Sequence, residues 1–170
     1  RLPANADIVF QVHYPAGTTG QLDSTKVNFF FSSAPSIRPL FVAPVLNHST
    51  SLTNGPLFIA ANQTKTFYGE YTIPAAYGKI SFLQVAPHMH LIGRNMKAYA
   101  IAPNNQNIPL IKINDWNFMW QGGYDFQQIQ VMPVSSTLYF EALYDNTDNN
   151  PYNPSSPPVN VSEGEATTDE

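Results

Sequence analysis

The hydrophobic pattern along the chain is almost purely that of β-strands, and one run alternates with a period of two, as a strand with one buried face does. Residues 7–14 set Ile8, Phe10 and Val12 on one side and Val9, Gln11 and His13 on the other. Pro15-Ala16-Gly17 ends that run, and residues 26–31 (KVNFFF) form a second β-branched and aromatic one. Prolines and serines across 32–39 read as a linker or long turn. Further strands are predicted over 55–60, 65–73, 79–90, 95–102, 108–114, 124–132 and 136–144. Turn residues separate them, at Asn54-Gly55-Pro56, Pro74, Pro103-Asn104-Asn105 and Gln121-Gly122-Gly123. No useful segment has a helical period, and 15 prolines oppose helices. Short strands at this spacing predict an all-β fold, an antiparallel jelly-roll-like β-sandwich. From Asp145 the chain is rich in Asn and Pro and then acidic, which predicts an extended arm without strands.

Composition narrows the partners. Of 170 residues, 43% are apolar and 13% aromatic, enough for a core, whereas only 12% are charged. A disordered chain would show the reverse balance. The net charge is -4 and the eight Lys and Arg are scattered, so nothing could neutralise a row of phosphates. Nucleic acid and anionic membrane surfaces are therefore not expected partners. No apolar run reaches the roughly 20 residues that span a bilayer. With no cysteine, disulfides and thiolate metal sites are excluded. Sparse lysine with abundant Asn, Thr and aromatics suggests an extracytoplasmic protein, periplasmic or secreted. The chain begins with Arg1, which suggests a processed or cut product.

The candidate chemistry centres on Pro87-His88-Met89-His90. On a strand, residues i and i+2 share a face, so His88 and His90 can meet one metal ion. Imidazole suits copper, zinc, iron and nickel alike, and two polar residues on a solvated face would have the same spacing. His13 shares a strand face with Gln11; a lone strand histidine is more often structural or exposed. His48 lies in a polar loop and reads as a surface residue. Met89 alternates away from the pair and reads as core, and Met119, beside Trp120, as a packing residue. No phosphate-binding glycine loop, GxSxG or HExxH is present, and Asp115, Asp125 and Glu141 are not spaced as an acid–base pair. Asn47, Asn62 and Asn160 begin sequons, which matter only in a host that glycosylates.

Several segments in order resemble the copper type II, ascorbate-dependent monooxygenases, the family of peptidylglycine α-hydroxylating and dopamine β-monooxygenases, in its bacterial branch. They are residues 87–93 (PHMHLIG), 114–121 (NDWNFMWQ), 144–147 (YDNT), 150–154 (NPYNP) and 164–170 (GEATTDE), with 11–14 (QVHY) upstream. The resemblance covers nearly the whole chain. It implies two consecutive jelly-roll-like sandwiches, each holding one copper. Residues 1–38 would then be the final strands of the N-terminal copper monooxygenase-like domain, and 39–170 the C-terminal one. It also implies that His88 and His90 bind the oxygen-activating copper, and that His13 is the third histidine of the electron-transfer copper.

The family's methionine ligand follows directly on an acidic pair like Asp169-Glu170, and its other two electron-site histidines precede the position of Arg1. The intact protein is thus expected to hold two coppers and to extend beyond these residues, or to pair with another chain. Peptide-processing members carry an Arg two residues before the histidine pair, where this chain has Ala86. A peptide carboxylate is therefore not the expected substrate. The expected activity is hydroxylation of a C–H bond of a small molecule by dioxygen, with ascorbate or another reductant. The alternatives are a non-catalytic β-sandwich, a copper-binding protein without turnover, and a cupin-like metal enzyme. Arg94 and Asn95 stand where a cupin would carry its Glu, and no His follows His90.

Overall fold

The computed structural model describes residues 4–12, 14, 17–34, 36, 40–164, 166, 168 and 169. The chain divides into two units, Arg1–Phe41 and Val42–Glu170. Among the described residues the second carries every strand: β1 Phe58–Ile59, β2 Gln63–Thr72, β3 Ile80–Val85, β4 Gly93–Ile101, β5 Asn107–Ile113, β6 Tyr124–Met132, β7 Thr137–Asn146 and β8 Val161–Ser162. A single 3-10 turn, Ala75–Tyr77, is the one helical element among the described residues. No helix there is long and apolar enough to cross a membrane.

All pairings are antiparallel. β2, β7, β4 and β5 form a four-stranded sheet in that order, β3 pairs with β6, and β1 pairs with β8. Alternation along β7 explains how the layers meet. Leu138, Ala142, Tyr144 and Asn146 are buried on one face, where Phe140 is half-buried, while the alternate residues Thr137, Tyr139, Glu141, Leu143 and Asp145 reach solvent. Ala100 and Leu138 of the large sheet close on Met132 of β6, with Ile80 and Phe82 of β3 alongside. Phe67, Ala142 and Tyr144 close on Ile59 and Val161 of the small β1–β8 pair, and on Met89, Ile92 and Trp116. The result is an all-β antiparallel sandwich. Burying a ring such as Phe67, 1% exposed, stabilises the fold by roughly 1.5–3 kcal/mol.

Gly69 on β2 sits opposite Phe140 on β7, and the Phe140 ring occupies the space a Cβ would need. A methyl group there must displace that ring from the sheet face. Gly69→Ala is therefore expected to destabilise the protein by about 1–3 kcal/mol, read as a lower urea midpoint.

Three expectations are corrected. Residues 7–14 and 26–31 form no strand among the described residues, and Val9 and Phe30 are 89% and 95% exposed. Alternation specifies which face a strand would bury, but a strand exists only where a second backbone receives its hydrogen bonds. No strand ladder involves these segments among the described residues. Unit 1 does contain a polar turn, in which the Thr25 hydroxyl and backbone N–H and the Tyr14 hydroxyl donate to Asp23. Those bonds, the Thr25 hydroxyl's first, hold the Asp23 carboxyl at about 2.

The strand predicted over 79–90 stops at Val85. Pro87 has no N–H to give a ladder, so His88 and His90 lie in the connection to β4.

The tail is not a free arm. Val161 and Ser162 pair with Ile59 and Phe58, and the buried Asn146 amide donates to the carbonyls of Val159 (2.7 Å), Ile59 (3.2 Å) and Ala60 (3.2 Å). Asn153 in turn donates to Asn146 Oδ1 at 2.9 Å. Side-chain amides here do the work that a ladder does elsewhere, so the Asn-rich composition that suggests disorder is what fastens the segment.

Candidate metal centre

The connection from β3 to β4 is pinned by its apolar residues. Met89 and Ile92 are 2% and 1% exposed and lie in the core around Trp116. With Met89 turned inward, His88 is left exposed and His90 half-buried. Gly93 packs so close that a Cβ would lie 2.8 Å from Met89 Cβ. The His90 carbonyl accepts the Trp116 indole N–H at 3.2 Å, which ties this connection to the β5–β6 loop.

The two imidazoles meet edge to face, their centroids 4.9 Å apart and their planes at 87°. Phe118 closes on His90 in a similar T-shaped arrangement at 6.0 Å. Each histidine engages its Nδ1. His88 Nδ1 lies 2.5 Å from Gln121 Oε1, and His90 Nδ1 lies 2.8 Å from the Asp169 carbonyl oxygen. The Gln121 amide is oriented by its other end, where Nε2 donates to the Phe118 carbonyl at 2.8 Å. Both partners of the histidines are therefore acceptors, so each Nδ1 carries the proton and donates it. In neutral imidazole this leaves the lone pair on Nε2. His88 Nε2 has no hydrogen-bond partner among the described residues.

A neighbour that takes the Nδ1 proton and holds the ring is the usual support of a metal-ligating histidine. The chemistry of the pair therefore fits a metal ion held through His88 Nε2 and the His90 imidazole, in the range from copper to zinc, iron and nickel. Among the described residues, no group of three or more His, Asp or Glu gathers around one point. Of the thioethers, Met89 and Met132 are buried and Met96 packs against the core. Met119, expected as a packing residue, is instead 85% exposed, because the β5–β6 loop turns it outward next to Trp120. His13 lies outside the described residues. His48 is on the surface, its Nε2 3.3 Å from Glu163.

The carboxylates have structural partners: Arg94 for Asp115 at 3.8 Å, Gln84 for Asp125 at 2.8 Å and Lys97 for Glu141 at 2.7 Å. The Glu141 contact pushes the Lys97 ammonium up from its ordinary range. None of the three carboxylates is hydrogen-bonded to the histidine pair.

Sequence reasoning gave Gln121, Trp116, Phe118 and Asp169 no part in the site: Gln121 read as a turn residue, Asp169 as part of an acidic pair, and all four lay in the two segments 114–121 and 164–170. Their contacts span 33 residues from His88 to Gln121 and 79 from His90 to Asp169, distances over which spacing carries no information. Compared with family models, curated proteins and solved structures, the chain matches none.

Proposed function

We propose that this protein is a copper-dependent monooxygenase-like enzyme, in which His88 and His90 hold the oxygen-activating copper. The observation that carries the reading is the pair of Nδ1 donations, to Gln121 Oε1 and the Asp169 carbonyl. They set both rings in the tautomer that ligates through Nε2. Copper rather than another metal rests on the family resemblance. So do His13 as a ligand of a second copper, ascorbate or another reductant as electron source, and an extracytoplasmic setting. The Asp169 contact adds support, because the segment that precedes the family's methionine position lies against His90.

Bound copper would supply dioxygen activation for hydroxylating a C–H bond of a small molecule. The chain's own residues do the positioning. Gln121 holds the exposed His88 ring, Trp116 holds the His90 backbone, and Phe118 covers the edge of His90. Preorganised ligands lower the cost of gathering them around the ion.

Oxygen uptake by the copper-loaded protein in the presence of ascorbate tests the reading. Uptake that depends on His88 and His90 supports it. Tight copper binding without uptake would instead favour the copper-binding protein, a reading favoured by the two-histidine donor set among the described residues.

The role of Gln121 has its own test. Gln121→Ala is expected to weaken Cu(I) binding by about 10–100-fold, while Gln121→Glu, which keeps an acceptor, retains most of it. Competition against a Cu(I) chelator reads both. Equal affinity in the alanine variant would show that His88 needs no such support.

A further inference from the structure

The β5–β6 loop that carries Gln121 also walls a half-open cavity of about 220 Å³. Trp116, Trp120, Tyr124 and Ile113 form its apolar side, and Asp115 and Asn117 its polar side. The volume is below the roughly 300–1,000 Å³ of pockets for drug-sized ligands, so it suits a single ring. Trp116 is fixed, buried to 4% exposure with its N–H on the His90 carbonyl. Trp120 is 76% exposed, although its backbone is held in a turn by a bond to the Asn117 carbonyl at 2.9 Å. An indole left in water on an ordered turn, beside a second indole and a phenol, offers a stacking surface.

The polar side decides what would stack there. Asp115 is paired at 3.8 Å with Arg94, which offsets its charge and weakens any pull on a cation. Asn117 Oδ1 accepts the Met119 N–H, and Asn117 Nδ2 has no partner among the described residues. The rim therefore presents a carboxylate acceptor beside a free amide donor. Neighbouring hydroxyls, each both donor and acceptor, complement that pair. A ligand with an apolar C–H face for the rings and hydroxyls along its edge is a sugar ring.

We propose that this cavity is a binding site for one neutral pyranose unit, stacked on Trp120 and hydrogen-bonded to Asp115 and Asn117. It is independent of any metal at the histidine pair, and metal-free protein suffices to test it.

The experiment is a tryptophan-fluorescence titration with methyl β-D-glucopyranoside, methyl β-D-galactopyranoside, N-acetylglucosamine and tetramethylammonium. At least one sugar is expected to give a saturable change in the millimolar range and to protect Trp120 from a soluble quencher. Trp120→Ala is expected to weaken that binding by about tenfold or more, with Trp116 as the remaining reporter, and Trp120→Phe to keep most of it. Trp120 contributes little to the core, so both variants are expected to fold. No saturable change with any sugar would overturn the proposal. So would sugar binding that Trp120→Ala leaves intact, or saturation by tetramethylammonium alone, which would make the site a cation cage.

Discussion

A His88→Ala/His90→Ala variant is expected to lose Cu(I) affinity by more than about a hundredfold while remaining folded. The size follows from what is removed. Loss of a residue that merely orients a ligand costs about 10–100-fold, and here both ligating nitrogens go. Folding should be affected much less. His88 is exposed, His90 half-buried, and the residues that pin their segment are Met89 and Ile92, which remain. The substitutions delete the Nδ1 hydrogen bonds to Gln121 and Asp169, which together contribute about 1–3 kcal/mol. Chelator competition and a urea titration on the same samples separate the two effects. Affinity unchanged in the double variant would remove the histidine pair from the metal reading altogether. Coupling gives a further check: in a His88→Ala background, Gln121→Ala should have little additional effect, because the contact through which it acts is already gone.

Asn146→Ala is expected to be among the most damaging single substitutions for stability, costing about 3–4 kcal/mol. Asn146 is fully buried at the end of β7, and its one amide serves the carbonyls of Ile59, Ala60 and Val159 while its Oδ1 accepts from Asn153. Alanine would leave those groups short of partners, the Ile59 carbonyl in a buried position and the others half-buried. The damage should be directed. The β1–β8 pair and the segment between Asn146 and Val161 would loosen first, so limited proteolysis should begin to cut there while the four-stranded sheet holds. Asn146→Asp separates donation from size. It keeps an acceptor for Asn153 but turns a carboxylate toward three carbonyls, and is expected to be at least as destabilising as alanine at neutral pH. A loss below about 1 kcal/mol in both variants would mean that the tail is held by its apolar contacts, Val161 foremost.

The carboxamide residues show where reading the chain alone runs out. In the tail, Asn146, Asn150, Asn153 and Asn160 have the composition of a solvated arm. Yet Asn146 and Asn150 are 0% and 4% exposed, and Asn160 Oδ1 accepts the Ala61 N–H from 99 residues away. Composition cannot distinguish an amide that faces water from one that replaces a missing strand, since both are polar and both suit turns. Residues 7–14 show the opposite error. Their alternation is as clean as that of β7, but β7 has a neighbour on each side and these residues have no ladder partner among the described ones.

From the sequence by itself came most of the strand positions in 42–146, the all-β class without α-helices among the described residues, and the choice of His88 and His90 with Met89 turned away between them. All of these depend on residues a few positions apart, where backbone geometry makes a period of two or a proline decisive. Only the tertiary structure decided the rest: the order β2-β7-β4-β5, the two small strand pairs, the anchoring of the tail, and the Nδ1 partners that set both imidazoles. These contacts join residues tens of positions apart. Any of several chemically equivalent acceptors could have met His88 or His90, and packing of the closed chain selected Gln121 and Asp169.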